Sequence, residues 1–253
     1  KKYGAEQLKD AIEKCGINKG DIVLIHSAWR SFYNFSGRPE DVIEVIIEIV
    51  GKDGIILMPS YGNDKTFFDI DNTPSKAGVI SEVFRKREDV RRSRCSHFSL
   101  AAWGIMVGEI INDHENSIYG FDEHSPCYKI TQMKKAKVLF LGLGKRPAKV
   151  SIFHCAGWMS RFSDAKLKNL YTASYQSGLK YDGKVHLRQM VDRLSGHGND
   201  ERVFRKILSS LQSLKKTRVS NLDIVCINAS DGFETAKEYI SRGIYCYKNM
   251  NGL

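Results

Sequence analysis

The chain has 253 residues, of which 42% are hydrophobic and 27% charged, and its formal net charge is +10. The apolar content is enough for a globular core, whereas the longest clean apolar runs, Ile22–Ile25 and Val138–Leu141, are far too short to span a membrane. The six cysteines include no Cys-x-x-Cys pair and are too sparse for a disulfide scaffold, which indicates reduced, buried thiols in a cytoplasmic protein.

The first part of the chain alternates strands and helices. The apolar, β-branched run Asp21–His26 predicts a buried strand. Pro39 predicts the first turn of a helix, which runs to about Val50 and stops at Gly51. Ile55–Met58 is again uniformly apolar and predicts a second strand.

The middle of the chain continues this alternation. We expect Ser75 to cap a helix, and Ser125 followed by Pro126 to start another. Between these two points, Phe98–Trp103 predicts a strand and Met106–His114 a helix.

The last part begins with the strongest of the later strands. Val138–Leu141 predicts this strand, and Ser151 starts a helix that extends to about Ser160. The remaining predicted elements are a helix over Val203–Leu214, a strand over Asp223–Ile227 and a helix capped by Ser230.

Strands that alternate with helices and are apolar on both faces predict an α/β fold. We expect a three-layer α-β-α sandwich with a mixed central sheet, formed by residues 1–253 as a single domain. Residues 160–200 mix charge, glycine and tyrosine, and predict an insertion or substrate lid.

Two strand-to-helix turns carry small hydroxyl residues, at His26-Ser27-Ala28 and at Thr73-Pro74-Ser75. Backbone N–H groups at such turns are unpaired and aligned with a helix dipole, so they favour phosphate. A basic surface also attracts phosphorylated small molecules, as well as nucleic acid and anionic lipid. The alternative is that these serines only cap helices.

Six segments in a fixed order carry the most specific signal in the chain. They are His26–Ser31, Met58–Ser60, Asn72–Ser75, Ser99–Gly104, Glu123–Pro126 and Ser151–Ala156. Together, and in this order, they resemble the motifs of the aminoglycoside 3-N-acetyltransferase family. The resemblance implies transfer of an acetyl group from acetyl-CoA to an amine, with no metal.

The resemblance also implies roles for individual residues. His154 is expected to be the general base, because a neutral imidazole suits proton removal from an attacking amine. Glu123 is expected to be its acidic partner or to receive the amine, although it could equally be a carboxylate that complements a helix dipole. The expected acetyl-CoA contacts are His26, Ser27, Ala28, Thr73, Pro74 and Ser75, and the expected substrate contacts are Tyr61, His97 and Ser151.

Two positions depart from the family pattern. Cys95 stands where the family has a histidine, and Gly157 stands where it has an acid. Loss of that acid, together with a net charge of +10, favours a phosphate-bearing acceptor such as a nucleotide-linked or lipid-linked amino sugar. The alternative is an aminoglycoside 3-N-acetyltransferase that confers antibiotic resistance.

Two other classes of function are disfavoured. A zinc site at Cys95 and His97 has a spacing too short for the usual pairs of ligands. A non-catalytic protein that binds nucleic acid or another anion needs exposed aromatics among basic residues, whereas the tryptophans Trp29, Trp103 and Trp158 lie within or beside the motifs. We therefore expect no nucleic-acid partner.

Overall fold

A computed structural model describes residues 1–145 and 147–250. The helices are α1 Ala5–Lys14, α2 Pro39–Val50, α3 Val79–Phe84, α4 Val107–Ile111, α5 Pro126–Thr131, α6 Ser151–Ser160, α7 Ala165–Leu170, α8 Glu201–Ser210 and α9 Ala229–Ser241. The strands are β1 Ile22–Ser27, β2 Ile55–Pro59, β3 Phe67–Asp69, β4 Val90–Arg92, β5 Leu100–Trp103, β6 Ala136–Leu141, β7 Ala173–Tyr181, β8 Lys184–Asp192, β9 His197–Asn199, β10 Lys215–Val219, β11 Leu222–Asn228 and β12 Tyr247–Asn249.

The central sheet has seven strands in the order β10-β11-β6-β1-β2-β5-β4. Its middle is parallel, since Ile22 of β1 pairs with Ile55 of β2 on one side and with Ala136 of β6 on the other. The strands β11 and β5 flank this middle in antiparallel orientation. The carboxyl ends of β6, β1 and β2 therefore meet at one edge, and the prediction of a mixed sheet is confirmed.

Both faces of the sheet are buried. In β1, Val23 and Ile25 belong to one core, which includes Val42 of α2. Leu24 points the other way and belongs to a second core, which includes Phe153 of α6. This alternation follows from the two-residue period of a strand, and it produces the predicted three layers.

Local chemistry explains where several helices begin and end. Pro39 occupies the first turn of α2, and Gly51 ends the helix with a φ of 65°, a conformation that glycine adopts without strain. Ser125 caps α5 by accepting a hydrogen bond from the Tyr128 N–H. Both of these predicted helix starts are confirmed.

Two predicted caps are wrong. Helix α3 begins at Val79 after Gly78, which has a φ of 134°, and the hydroxyl of Ser75 instead lies 3.1 Å from that of Ser81. Ser230 lies inside the first turn of α9, which is preceded by Asn228. Capping preference is a local signal. In both places other contacts fix the path of the chain, and the helix therefore begins at a different residue.

One predicted helix is shorter than expected. The helix expected over Met106–His114 ends at Ile111, because Asp113 adopts a left-handed φ of 75° and a short 3₁₀ helix follows it. The helix expected over Val203–Leu214 likewise ends early, at Ser210.

The region 160–200 has regular structure of its own. The hairpin of β7 and β8 joins β3 in a three-stranded sheet, and β9 pairs with β12 in a two-stranded one. The second pairing brings β12 beside β9, which follows the hairpin in the chain, while the role of a substrate lid stays a prediction. All six cysteines are free and buried, as expected. Among the described residues, no helix combines the length and the apolar character needed to cross a bilayer.

Candidate active site

A cavity of about 400 Å³ lies at the edge where β1 and β2 end and α6 begins. Its walls include five residues singled out from the sequence, which are His26, Ser27, Tyr61, Ser151 and His154. Ligands of α/β folds bind beyond the carboxyl ends of parallel strands, which is where this cavity lies. A larger concavity of about 670 Å³ beside β4 is lined by arginines and contains none of the sequence-predicted site residues.

His154 is half-buried on the wall of the cavity. Its Nδ1 atom lies 2.8 Å from the hydroxyl of Tyr247, and its ring packs against Phe121 at 4.9 Å and Phe204 at 5.4 Å between centroids. Burial, together with the nearby positive charge of Arg193, lowers the pKa of His154 to about 3. The imidazole is therefore neutral at physiological pH.

His26 and Ser151 meet on the same wall. His26 Nε2 lies 3.2 Å from Ser151 Oγ, and the His26 ring stacks on Phe140 with 5.4 Å between centroids. Burial lowers the pKa of His26 to about 4. Of the neighbouring turn, Ser27 lines the cavity, whereas the Ala28 N–H donates to the Leu141 carbonyl and is not free for a ligand.

The turn over 73–75 lies beside the cavity without lining it. Thr73 Oγ1 accepts a hydrogen bond from the Asp69 N–H at 2.8 Å, and the Ser75 N–H donates to Glu82 at 2.6 Å. These polar groups are engaged within the protein. The next residue, Lys76, does line the cavity, and its N–H donates to the Tyr61 carbonyl at 2.9 Å.

The two predicted substrate contacts Tyr61 and His97 lie in different places. Tyr61 lines the cavity and stacks on Phe98 with 5.0 Å between centroids. His97 instead packs behind Phe121, and its Nδ1 lies 2.9 Å from the Tyr175 hydroxyl on β7. Burial lowers the pKa of His97 to about 4.

Glu123 is exposed and accepts a hydrogen bond from the indole N–H of Trp158 at 3.3 Å. Trp158 lies one helical turn beyond His154 on α6. Among the described residues, no hydrogen bond or ion pair joins Glu123 to His154. The two predicted partners thus lie in the same region without touching.

Several residues of the cavity and its surroundings were missed from the sequence. Lys76 and Lys149 are exposed on the cavity wall, and neither forms an ion pair with a described residue. Tyr247, the partner of His154, lies 93 positions along the chain from it. Lysines and tyrosines are too common for either to stand out before the fold is known. Within residues 1–145 and 147–250, no three His, Cys, Asp or Glu side chains are grouped as a metal site.

Comparison with known proteins identifies related sequences. The profile of a family described as aminoglycoside 3-N-acetyltransferase matches residues 24–241. The chain is 30% identical to the aminoglycoside N(3')-acetyltransferase-like protein YokD of Bacillus subtilis, over 54% of this chain and 59% of that protein. It is 31% identical to aminoglycoside N(3)-acetyltransferase IV of Salmonella sp, over 51% of this chain and 49% of that protein. The chain thus spans about half to three fifths of the length of these curated relatives.

Solved structures share the fold. The apoenzyme of aminoglycoside acetyltransferase AAC(3)-IVa has a TM-score of 0.78 at 24% identity, covering 96% of this chain and 90% of that chain. AAC-IIIb in a binary complex with CoASH has a TM-score of 0.80 at 17% identity, covering 97% of this chain and 98% of that chain. These likenesses confirm the predicted fold class.

Proposed function

Because this chain belongs to the aminoglycoside 3-N-acetyltransferase family, we propose that it transfers the acetyl group of acetyl-CoA to an amino group of an aminoglycoside-type amino sugar. One observation carries the proposal. A neutral, half-buried imidazole, that of His154, stands on the wall of a 400 Å³ cavity together with two exposed lysines, Lys76 and Lys149. The cavity thus combines a proton acceptor with a place for phosphate.

His154 is the proposed general base. The acceptor nitrogen attacks the thioester carbonyl carbon, the C–N bond forms, the C–S bond breaks and the thiol leaves. The proton lost by the nitrogen moves to the imidazole and then to the leaving sulfur, so the base is regenerated. Burial keeps His154 neutral beforehand, and the negative charge that develops on the thioester oxygen and sulfur raises its proton affinity during the reaction.

Lys76 and Lys149 are the proposed ligands of the acetyl-CoA phosphates, with Ser27 beside them. Lysine binds phosphate as a point charge, and these two are exposed, as a mobile, charged substrate requires. The turn over 73–75 leads directly into Lys76, whose backbone is held by the Tyr61 carbonyl, and His26 acts through its hydrogen bond to Ser151.

The acceptor class follows from this assignment of the lysines. The net positive charge favours a phosphate-bearing acceptor only if that charge binds the acceptor. If Lys76 and Lys149 bind the phosphates of acetyl-CoA, they no longer argue for a phosphate on the acceptor. The names of the two related proteins described above instead support an aminoglycoside-type acceptor. Glu123 is exposed beside Trp158, which lies one turn beyond His154 on α6, and would attract a cationic amine, while Tyr61 would contact its sugar ring.

We extend the proposal to the organisation of the chain, as one catalytic domain with residues 160–200 covering the acceptor side. The hairpin of β7 and β8 supports this role, because Tyr175 on β7 bonds to His97 directly behind the aromatic wall of the cavity.

A thiol-release assay with acetyl-CoA tests the proposal. The panel contains kanamycin-type and gentamicin-type aminoglycosides and nucleotide-linked amino sugars at equal concentrations. We expect release of free thiol with at least one aminoglycoside and mass-spectrometric detection of its N-acetyl product. Faster turnover of a nucleotide-linked sugar would overturn the proposed acceptor class, and absence of release with every acceptor would overturn the activity.

A further inference from the structure

The hydroxyl of Tyr247 contacts His154 from a strand 93 positions further along the chain. The Oη–Nδ1 distance is 2.8 Å, and the two rings stack with centroids 5.7 Å apart and planes 20° apart. Tyr247 is 8% exposed, and its backbone is fixed by pairing with Asn199 across β9 and β12. The contact is therefore held by packing and by a strand pair, which limits the freedom of the phenol.

The room for this phenol exists because residue 157 is glycine. Residues 154 and 157 lie three apart on α6 and share a face of the helix. A Cβ atom at Gly157 would stand 2.9 Å from the hydroxyl oxygen of Tyr171 and 3.1 Å from that of Tyr247. Two phenol oxygens thus fill the space beside the helix that any other side chain would occupy.

Among the described residues, no carboxylate forms a hydrogen bond to the His154 ring. Besides burial, the groups that act on the His154 pKa are Arg193 and two other histidines, and all of them lower it. Arg193 also holds the phenol, since its guanidinium lies 4.5 Å from the centre of the Tyr247 ring and donates to Asn199 at 2.9 Å. Burial raises the pKa of Tyr247, which keeps the hydroxyl protonated and able both to donate and to accept.

The direction of the hydrogen bond between Tyr247 and His154 depends on the tautomer of the imidazole. Either the Tyr247 O–H donates to Nδ1, or Nδ1–H donates to the Tyr247 oxygen. The hydroxyl of Tyr171 is buried near the same face of α6 and has no hydrogen-bond partner among the described residues. A base that acts through Nε2 needs the second arrangement, because only then does Nε2 keep its lone pair.

We propose that Tyr247 is a positioning residue that accepts a hydrogen bond from Nδ1 of His154 and so fixes its Nδ1-protonated tautomer. The remaining ring nitrogen, Nε2, then keeps its lone pair, as a base requires. It forms no hydrogen bond to a described residue. The direction of this hydrogen bond rests on the proposed function, in which His154 is the base.

The variant Tyr247→Phe tests the proposal, because it removes the hydroxyl and keeps the ring. Loss of a partner that orients an imidazole typically costs about 10- to 100-fold in activity. We expect kcat to fall by that factor with KM for acetyl-CoA unchanged. Tyr245→Phe is the matched control, since the Tyr245 hydroxyl bonds to Asp164 away from the cavity, and it should leave kcat unchanged.

Nitrogen NMR of protein labelled with ¹⁵N-histidine reads the tautomer without turnover. The wild-type spectrum should show His154 protonated at Nδ1 and unprotonated at Nε2, and Tyr247→Phe should shift it towards Nε2 protonation. Gly157→Ala crowds both hydroxyls and should shift it in the same direction, as a second variant if the first unfolds. A wild-type His154 protonated at Nε2, or variants with an unchanged tautomer, would overturn the proposal. A correct tautomer in a protein that releases no thiol would overturn the proposed function alone.

Discussion

Four histidines should make the fold sensitive to mild acid. Burial lowers the pKa of His26 and His97 to about 4, and that of His114 and His154 to about 3. In the unfolded chain each returns to about 6.5. The unfolded state therefore binds more protons below this value, and stability is present above pH 6.5 and lost as the pH falls towards the folded pKa.

The magnitude follows from the size of these shifts. As the pH falls from 7.5 to 5.5, each histidine takes up a proton almost entirely in the unfolded state. This lowers the free energy of unfolding by about 1.4 kcal/mol per histidine. Four of them cost about 5 kcal/mol, a large part of the 5–15 kcal/mol typical of a domain. His124 acts in the opposite sense, because Asp113 raises its pKa, but this pair is exposed and screened by solvent.

Urea denaturation at the two pH values measures this loss. His114 gives the sharpest variant, because it is fully buried, bonds to Ser93 at 2.8 Å and lies outside the walls of the proposed active-site cavity. His114→Gln should reduce the pH-dependent loss by about 1.4 kcal/mol, whatever it does to stability at pH 7.5. A free energy of unfolding that is equal at both pH values, or a variant that loses as much as the wild type, would refute the reasoning.

Three further predictions concern the cavity and its scaffold. Lys76→Gln and Lys149→Gln should each raise KM for acetyl-CoA by about tenfold, the value of one charge-assisted hydrogen bond, with kcat unchanged in steady-state kinetics. An increase in neither KM would remove the lysines from the phosphate site. Gly142→Ala should lower the melting temperature, because φ is 74° there and the new Cβ would lie 2.5 Å from Cβ of Ser31; an unchanged melting temperature would contradict this. Since burial lowers the pKa of His154 to about 3, NMR titration of its ring should show no midpoint between pH 6 and 7, and the acid limb of kcat/KM should follow the pKa of the acceptor amine instead.

The elements that the sequence predicted well are those with local causes. The helix over Ser151–Ser160 lies where it was expected, and so do the strands that end at Ser27 and Leu141. Apolar runs and turn residues identify such elements without knowledge of the fold. The edge strand β10 was missed, because Lys215 and its basic neighbours give it no apolar pattern.

The candidate site was predictable only in part. His26, Ser151 and His154 stand out as a set through the family resemblance, and the fold brings all three to one cavity. Tyr247 and Arg193 could not be found this way, because their contacts arise from strand pairing between distant segments. The roles assigned to all of these residues stay predictions until they are tested.

Thiol release by the variant His154→Ala tests the central claim most directly, with His124→Ala as the control because His124 lies outside the cavity. Removal of a general base should lower kcat by about two to four orders of magnitude and leave the affinity for acetyl-CoA, measured by calorimetry, nearly unchanged. The control should retain wild-type turnover. A His154→Ala protein that acetylates an amino sugar at the wild-type rate would contradict the account.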